Sequence, residues 1–397
     1  MKFLIYLVCY CLYPWSFLFP RSKKKWAFGS FRGAFNDNAK YLYIQVAERV
    51  PEIHCAWLSV NRSTVDEIKS LGLNAYWVFS PKGLWFALTS KVWFFNSYSS
   101  DIMFCLSGGA KLVNLWHGLP LKRIEFGIES GPLADRFVKK TLKERYYHPE
   151  CYQRPDYVLS STRCVSEAFA RAFRVPINSC IEAGYPRNEI LCFSEDRLHD
   201  FIRRYESLTT ADLVSKLQGG GYSQVFVYMP TWRDSQRDLF VQRFDLERMN
   251  AVMHERNALL LLKPHSNMNV DVAGMCHYSN ILFVDAAVDM YPILPFTDVL
   301  ITDYSSVLYD YILMEDKSVI LYLYDYEEYA KERDFFFTFE DHVVGKRVYD
   351  FEDLCHCVEK GDYAMDEGER ARIVQQFWGD TVATSPSEQI ISCFRID

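Results

Sequence analysis

Short runs of apolar residues alternate with longer stretches in which apolar residues recur every three or four positions, and this alternation continues along most of the chain. Each short run has the length and the β-branched or aromatic content of a buried strand, whereas each longer stretch has the period of an amphipathic helix. The run at 25–30 is followed by a helical stretch at 38–50, and the runs at 53–59 and 74–79 continue the series. Strands that alternate with helices form parallel sheets covered on both faces. The pattern therefore predicts an α/β protein.

Three consecutive glycines at 219–221 interrupt this alternation near the middle of the chain. Glycine runs break regular structure, and a chain of 397 residues has the length of about two domains. We therefore predict two doubly wound parallel-sheet domains at residues 26–218 and 219–375, followed by a helical segment at 376–397. The other predicted strands are 91–97, 111–118, 156–161 and 179–184 in the first domain, and 224–230, 258–265, 280–285, 298–303 and 318–324 in the second.

The first 25 residues have a different character. Residues 3–20 carry no charge, and Arg21 and Lys23–Lys25 follow directly. The uncharged run is slightly short for a membrane-spanning helix, which needs about 20 apolar residues, whereas its tyrosines and tryptophans suit the membrane interface. The basic residues suit anionic lipid headgroups on the cytoplasmic face. We predict that residues 1–25 form a peripheral, monotopic membrane segment; a single span and a buried helix are the alternatives.

Composition narrows the class of protein. Hydrophobic residues make up 49% of the chain, enough for sizeable cores, and the net charge of -7 argues against a general nucleic-acid-binding protein. The 12 cysteines have irregular spacings, which fits a reducing compartment. The Cys-His-Cys sequence at 355–357 lacks a second pair at zinc-site spacing, so we expect it to be structural. The chain has no acidic cluster that demands a metal, and we predict neither a metal nor another cofactor.

Polar side chains lie at, or just after, the carboxyl ends of three predicted strands of the second domain. Ligands of doubly wound folds bind beyond the carboxyl ends of the strands, and arginine, lysine and hydroxyl groups at those ends suit phosphate oxygens. A helix that begins at Ser305 or Ser306 would add free backbone amides. We therefore predict a phosphate- or pyrophosphate-binding site formed by Pro230, Thr231, Arg233, Lys263, His265, Asp303, Ser305 and Ser306.

Two of these assignments have alternatives. Serine is a favoured helix cap, so Ser305 and Ser306 can be explained without a ligand. Asp303 either caps the same helix or holds Arg233 or Lys263 in position. The presence of polar residues at neighbouring strand ends favours the anion site over simple capping.

In the first domain, His117 ends a predicted strand and is followed by Gly118. A histidine in this position can act as a general base, although a lone histidine is often structural. Gly118 allows a ligand to approach the backbone closely, and Lys122 adds positive charge. Arg187 follows another strand, just before a possible helix start at Asn188. We predict a catalytic role for His117 and substrate-side roles for Gly118, Lys122 and Arg187, which the resemblance described next implies to be on the acceptor side.

Six short sequences occur together in an order that resembles the CDP-glycerol glycerophosphotransferase family, whose members build teichoic acids and related capsule polymers. They are FNDNAKYLY, LWHGLPLK, GYPRNEIL, MPTWRD, LLKPHS and ITDYSSVLYDY, and they extend over roughly residues 26–340. The resemblance implies a GT-B fold, in which two Rossmann-like domains face each other across a cleft, and peripheral attachment to the cytoplasmic side of a bacterial membrane. The family's two histidines, its arginine and its two serines correspond to His117, His265, Arg233, Ser305 and Ser306.

The resemblance also implies a reaction. The hydroxyl of a lipid-linked or glycan acceptor attacks the β-phosphorus of CDP-glycerol or CDP-ribitol, His117 takes the hydroxyl proton, and CMP leaves. His265, the second predicted catalytic residue, would offset charge on the pyrophosphate together with the cationic side chains as the bond to CMP breaks. Leu119 occupies a position where the family commonly has threonine, and Val344-Gly345 occupy positions where it often has Pro-Gly. These departures leave open which alditol the donor carries. The alternatives are a GT-B glycosyltransferase that uses a nucleotide sugar and a membrane-bound scaffold that binds a nucleotide without turnover.

Overall fold

The computed structural model describes residues 2–231, 243–263, 278–332 and 335–395. The chain divides into two compact units. Unit 1 contains Met1–Glu189 and Phe377–Asp397, and unit 2 contains Ile190–Gln376. Each unit is built around one parallel β-sheet, so the predicted α/β class with two parallel sheets is confirmed.

Unit 1 has a seven-stranded sheet. Its strands are β1 (Ser22–Phe28), β2 (His54–Ser59), β3 (Ala75–Trp77), β4 (Ser90–Phe95), β5 (Lys111–Asn114), β6 (Tyr157–Ser160) and β7 (Cys180–Glu182). They lie in the order β3-β2-β1-β4-β5-β6-β7, and every neighbouring pair is parallel. The sheet core is aromatic, and Trp26, Trp57 and Trp93 are fully buried in it.

The helices of unit 1 cover the two faces of this sheet. They are α1 (Lys2–Ser16), α2 (Asp37–Arg49), α3 (Arg62–Ser70), α4 (Pro81–Thr89), α5 (Ala134–Phe137), α6 (Leu142–Tyr147), α7 (Pro149–Tyr152), α8 (Arg163–Phe173) and, from the end of the chain, a helix at Pro386–Phe394. Local sequence sets several of their ends. Helix α4 has proline at its first position, and the Ser80 hydroxyl accepts a hydrogen bond from the Gly83 amide at 3.0 Å.

Unit 2 has a six-stranded sheet. Its strands are β8 (Gln224–Tyr228), β9 (Ala258–Leu262), β10 (Ile281–Phe283), β11 (Val299–Thr302), β12 (Ser318–Tyr322) and β13 (Lys346–Val348), in the order β10-β9-β8-β11-β12-β13 with all pairs parallel. Its helices are α9 (Glu195–Tyr205), α10 (Leu208–Gly219), α11 (Leu246–Glu255), α12 (Val307–Tyr311), α13 (Tyr326–Glu332), α14 (Phe351–Lys360) and α15 (Glu367–Phe377); the helix at Pro386–Phe394 is α16.

Both sheets have the doubly wound strand order, with a switch point where the order reverses. In unit 1 the switch lies between β1 and β4, and in unit 2 it lies between β8 and β11. Successive connections leave the sheet toward opposite faces at this point, so a crevice opens beyond the carboxyl ends of the two central strands. The fold therefore predicts ligand-binding sites at the carboxyl ends of β1 and β4 in unit 1, and of β8 and β11 in unit 2.

The structural division differs from the predicted domain boundaries. The helices α9 and α10 belong to unit 2, although the prediction assigned residues 26–218 to the first domain. They pack within unit 2, where the His199 ring of α9 lies 5.5 Å from the Phe296 ring. The glycines at 219–221 only end α10. The segment after Phe377 returns to unit 1, where Phe394 packs edge-on against Phe94 of the sheet.

Helix α1 lies on the surface of unit 1. The Tyr13 ring stacks on Phe104 with 4.8 Å between centroids, and the Tyr10 hydroxyl donates to the Arg145 carbonyl at 2.8 Å. Many of its apolar side chains are nevertheless exposed. Among the helices of the described residues, none is both long and apolar enough to cross a membrane.

Arg21 has a different environment from the one that the sequence suggested. Its guanidinium donates to the carbonyls of Ala87 and Ser90 at 2.9 and 2.8 Å, and also to those of Leu106 and Gly108. Burial lowers the pKa of Arg21 to about 10. The side chain therefore ties the start of β1 to the surrounding loops and is not available to lipid headgroups, whereas Lys23 and Lys24 are exposed.

Candidate active site

The switch point of unit 1 brings together segments that are distant in sequence. Ser30 follows β1, Asn96 follows β4 directly, and His117 lies three residues after the end of β5. The Asn96 side chain donates to the Ser30 hydroxyl at 2.8 Å, which joins the two central strands at their carboxyl ends. The predicted catalytic histidine thus lies where the fold places a ligand crevice.

His117 is held in an unusual backbone segment. Its neighbours Trp116 and Gly118 both have positive φ, at 52° and 142°, and such values are rare for a bulky residue like tryptophan. Side chains bind the backbone groups of this segment on both sides. Asn38 donates to the Trp116 carbonyl at 2.9 Å, and Arg187 donates to the His117 carbonyl at 2.9 Å. Backbone strain held by surrounding bonds is typical of functional sites.

The His117 side chain is accessible to solvent although its ring is closely surrounded by protein atoms. The exposed surface of the side chain lets a substrate reach the ring, and the dense surroundings determine its acid–base behaviour. They lower the pKa of His117 below the ordinary histidine value, and Arg187 acts in the same direction, whereas Asp37 and the Asn96 carbonyl partly oppose the shift. A histidine with a lowered pKa is neutral at physiological pH, as a general base must be.

Gly118 and Arg187, two of the predicted acceptor-side residues, both belong to the His117 surroundings. The Gly118 carbonyl accepts a hydrogen bond from the buried Tyr185 hydroxyl at 3.2 Å. Arg187 is buried, and its Nη1 donates to Asp37 Oδ1 at 2.7 Å. Its guanidinium therefore supports the His117 segment through the hydrogen bond to the His117 carbonyl. Lys122, five positions after His117, is half-buried.

The switch point of unit 2 is joined by Asp303, which follows β11. Its carboxylate accepts hydrogen bonds from the Thr231 amide, at 3.0 and 3.1 Å, and from the Tyr304 amide at 2.7 Å. Asp303 and Pro230 are buried, and Thr231 is half-buried. The predicted donor residues after β8 and β11 are therefore brought together, and Asp303 connects their backbones.

Ser305 and Ser306 are half-buried at the start of α12, which begins at Val307 and has only five residues. The Ser306 side chain makes no capping hydrogen bond, and the Ser305 hydroxyl lies 3.4 Å from the Val307 amide, a long distance for a cap. Simple capping thus explains the two serines poorly. The helix itself is too short to supply the macrodipole that the sequence analysis expected, so the hydroxyls are the main feature of this turn.

Lys263 follows β9 and is half-buried. Its ammonium donates to the Val288 carbonyl at 2.9 Å and to the Asp285 carbonyl. Burial lowers the pKa of Lys263 to about 8, and the Asp289 and Asp285 carboxylates oppose the shift. The side chain remains mostly protonated at neutral pH, so it provides positive charge at the carboxyl end of the sheet. Arg233 and His265, the other predicted cationic residues, lie outside the described residues.

A comparison with known protein families identifies the chain. A family model described as CDP-Glycerol:Poly(glycerophosphate) glycerophosphotransferase matches residues 11–379, which is most of the chain. The protein belongs to this family. The family resemblance inferred from the six sequence motifs is thereby confirmed.

Individual relatives of this glycerophosphotransferase family member agree. A teichoic acid poly(glycerol phosphate) polymerase of Bacillus spizizenii is 27% identical over 261 residues, which cover 62% of this chain and 61% of that protein. The chain thus spans less than two thirds of that relative's length. A teichoic acid glycerol-phosphate transferase of Staphylococcus aureus is 26% identical, with 66% of this chain and 68% of that protein covered.

The fold has a counterpart among solved structures. A structure of the wall teichoic acid polymerase TagF superposes with a TM-score of 0.73 at 22% identity and covers 94% of this chain and 89% of that one. At this identity the likeness establishes the fold alone.

The site of this family member also contains residues that sequence reasoning missed. Asp37, Asn38, Asn96, Asp101 and Tyr185 all support the His117 segment, directly or through one intermediate. Asn96 lies near the end of the predicted strand at 91–97, so the same strand-end argument that selected His117 would have found it. Asp37 and Asn38 lie in the sequence FNDNAKYLY and Tyr185 lies in GYPRNEIL, so the family motifs were the signal that could have found them. Asp101 lies between β4 and β5, outside the six motifs.

One group of possible metal ligands exists among the described residues. Ligand atoms of His148, Glu150 and Cys151, at the start of α7, lie within 4.8 Å of one another. The His148 Nδ1 atom is 3.5 Å from Glu150 Oε1, an ordinary contact between an imidazole and a carboxylate. None of the proposed site residues belongs to this group.

Proposed function

We propose that this protein transfers glycerol phosphate from CDP-glycerol to an acceptor hydroxyl, with release of CMP, in the biosynthesis of teichoic acid or a capsule-type polymer. The observation that carries the proposal is the family match over residues 11–379, which includes every proposed site residue. The TagF structure that shares this fold was obtained after a soak with CDPG. The acceptor is a lipid-linked or glycan molecule with a free hydroxyl.

We assign acceptor activation to unit 1. His117 is accessible, and its lowered pKa leaves the imidazole neutral and able to accept a proton. The acceptor oxygen forms a bond to the β-phosphorus of the donor while its proton moves to the His117 ring. The bond between that phosphorus and the bridging pyrophosphate oxygen breaks, and CMP leaves with the electron pair. A base in this role contributes about 10²–10⁴-fold to the rate.

We assign donor binding to unit 2. Lys263 supplies positive charge after β9, and Ser305 and Ser306 supply hydroxyl donors after β11. Arg233 and His265 complete the donor set on the strength of the family motifs. Cationic and hydroxyl donors of this kind stabilise the charge that develops on the pyrophosphate as CMP departs.

The direct test is product analysis by mass spectrometry. The protein is incubated with CDP-glycerol and a lipid-linked acceptor, and parallel reactions contain CDP-ribitol or UDP-sugars. We expect CMP release and an acceptor whose mass rises by glycerol phosphate units. Sugar transfer from a UDP-sugar in place of this product would establish the glycosyltransferase alternative, and nucleotide binding without any product would establish the scaffold alternative.

Replacing both Ser305 and Ser306 by alanine should weaken CDP-glycerol binding by at least about tenfold. Each lost hydrogen bond costs roughly 0.5–1.5 kcal/mol, and more when the acceptor is a charged oxygen. Isothermal titration calorimetry measures the change, and Ser215→Ala, which alters an exposed hydroxyl on α10, is the matched control. Unchanged donor affinity in the double variant would assign the serines to the local structure of the turn.

We also propose that unit 1 binds the cytoplasmic face of the bacterial membrane through the exposed apolar side chains of α1, of the residues that follow it, and of α4. Exposed aromatic and aliphatic side chains of this kind insert into the headgroup region, and adjacent lysines attract anionic lipids. The Phe19 ring lies 6.4 Å from Trp85, which extends this surface from the N-terminal segment to α4. The exposed residues of the surface are Phe3, Leu4, Leu7, Val8, Leu12, Trp15, Phe17, Leu18, Leu84 and Trp85, with Lys23 and Lys24 beside them in the chain.

A triple variant tests the membrane surface without disturbing the fold. Leu4, Trp15 and Leu18 are 63%, 65% and 72% exposed, so their replacement by serine removes little packing. Burial of each such side chain contributes up to about 1.5–3 kcal/mol, and we expect vesicle binding to weaken by at least tenfold. Co-sedimentation with anionic phospholipid vesicles measures it. The matched control replaces three other exposed apolar residues, Leu208, Tyr349 and Val382, by serine; equal losses in both variants would contradict the assignment.

A further inference from the structure

Asp101 is a buried carboxylate near the carboxyl end of β4, and it has no place in the proposed chemistry. Its Oδ2 atom accepts hydrogen bonds from the backbone amides of Asn96 at 3.1 Å and Ser97 at 2.8 Å. Burial raises the pKa of Asp101 to about 7, although these amides act to lower it. A carboxylate is therefore kept in an unfavourable environment, and its contacts serve to fix the turn that contains Asn96.

Asn96 is buried as well, and its groups reach several segments of the switch point. The side-chain Oδ1 accepts from the Ala39 amide of α2 at 3.0 Å, and Nδ2 donates to the Ser30 hydroxyl at 2.8 Å. The backbone carbonyl oxygen lies 3.4 Å from Nδ1 of His117. The position of that carbonyl is thus determined by the hydrogen bonds that the backbone amides of Asn96 and Ser97 donate to Asp101, and by the hydrogen bonds of the Asn96 side chain.

The contact between this carbonyl and His117 has a chemical consequence. A carbonyl oxygen can only accept a hydrogen bond, so the contact is favourable only when Nδ1 of the neutral ring carries the proton. The other ring nitrogen, Nε2, then keeps its lone pair. A neutral histidine with Nε2 unprotonated is the form that can take a proton from a hydroxyl group.

We infer that Asp101 is a positioning residue for His117: by fixing the Asn96 turn, it holds the carbonyl that selects the tautomer with the proton on Nδ1. The inference deepens the proposed function, because the tautomer matters for catalysis only if His117 is the base. Asp101 itself touches no reacting atom. Its effect passes through two backbone amides and one carbonyl.

Nuclear magnetic resonance of the full chain labelled with ¹⁵N-histidine tests the inference without any substrate. The signal of His117 is identified by its absence in His117→Ala. We expect the wild-type ring, above its pKa, to carry its proton on Nδ1. Asp101→Ala should lose this preference, whereas Asp101→Asn should keep it, because the amide oxygen of asparagine can accept the same two hydrogen bonds.

Asp156 provides a matched control. Its Oδ2 accepts a hydrogen bond from the Leu112 amide at 2.7 Å, in β5, the strand that leads to His117. Like Asp101, Asp156 accepts a hydrogen bond from a backbone amide. This bond lies at the amino end of β5, whereas His117 follows the carboxyl end of the same strand. Asp156→Ala should leave the tautomer of His117 unchanged. A wild-type ring with its proton on Nε2, or equal loss of the tautomer in both alanine variants, would overturn the inference.

Kinetics separate this inference from the proposed function. With CDP-glycerol, Asp101→Ala should lower kcat by about 10²-fold with little change in KM, since small misplacements of a reacting group have effects of this size, and Asp101→Asn should recover most of the activity. If the tautomer depends on Asp101 but the wild-type protein has no transferase activity, the positioning stands and the proposed function falls. If the protein is active and its tautomer is insensitive to Asp101→Ala, the inference falls alone.

Discussion

Replacing His117 by alanine should lower turnover by about 10²–10⁴-fold and leave the affinity for CDP-glycerol almost unchanged, because a general base acts on the acceptor hydroxyl. The side chain is accessible, and the bonds that hold its segment are made to backbone carbonyls, which alanine retains. The variant should therefore fold normally. Turnover is measured as CMP release, and donor affinity by calorimetry.

The pH dependence of the reaction provides a second readout. His117 must be neutral to accept a proton, so kcat/KM should rise as the pH increases through its pKa and then level off. The crowded surroundings of the ring lower this pKa, which places the rising limb below the ordinary histidine value of about 6.5. The limb should be absent in His117→Ala.

His54 is a suitable control for these measurements. It is exposed at the first position of β2, the amino end of the same sheet, so His54→Ala should have wild-type kinetics. His265→Ala is informative in a different way: a phosphate contact predicts loss of both donor affinity and turnover. Wild-type turnover in His117→Ala would contradict the assignment of His117 as the base. The residue would then have a structural role, and the reaction would need another base.

The strands were predictable because each combines a short apolar run with polar or glycine residues at both ends. The runs at 25–30, 224–230 and 298–303 became β1, β8 and β11, and the alternation with helices implied their parallel pairing. Strand β13 was not predicted, because it has only three residues and two of them are charged, so it contains no apolar run. The domain boundary was misplaced because the packing of α9 and α10 depends on contacts with residues far away in sequence.

Some residues of the candidate site were likewise predictable from the sequence, and others were not. A strand-end rule selects His117, Asp303 and the two serines, since their positions follow from secondary structure alone. It does not reveal Asp101, whose role depends on which backbone amides its carboxylate meets. It also gave Arg187 an acceptor-side role, and that role stays a prediction. The ion pair between the buried Arg187 and the half-buried Asp37 joins two segments 150 positions apart, which only the tertiary structure could show.

The Arg187–Asp37 pair leads to the largest expected effect on stability. Arg187→Met should lower the free energy of unfolding of unit 1 by roughly 3–5 kcal/mol, because it leaves the half-buried Asp37 carboxylate without the buried cation that pairs with it. The Arg187 side chain is 5% exposed and that of Asp37 21%. The His117 carbonyl loses a hydrogen bond in the same variant, so the catalytic segment should loosen as well.

Urea denaturation followed by tryptophan fluorescence measures this effect in the relevant part of the chain, because eight of the nine tryptophans lie in unit 1. The matched control is Arg123→Met, which breaks the more exposed pair between Arg123 and Glu129; such surface pairs contribute about 0–1 kcal/mol. Adding Asp37→Asn to Arg187→Met should restore part of the lost stability, since the unpaired charge is then removed as well. Equal, small losses in Arg187→Met and Arg123→Met would mean that water screens the Asp37 pair although Arg187 is buried, and that the His117 segment is held by its other hydrogen bonds.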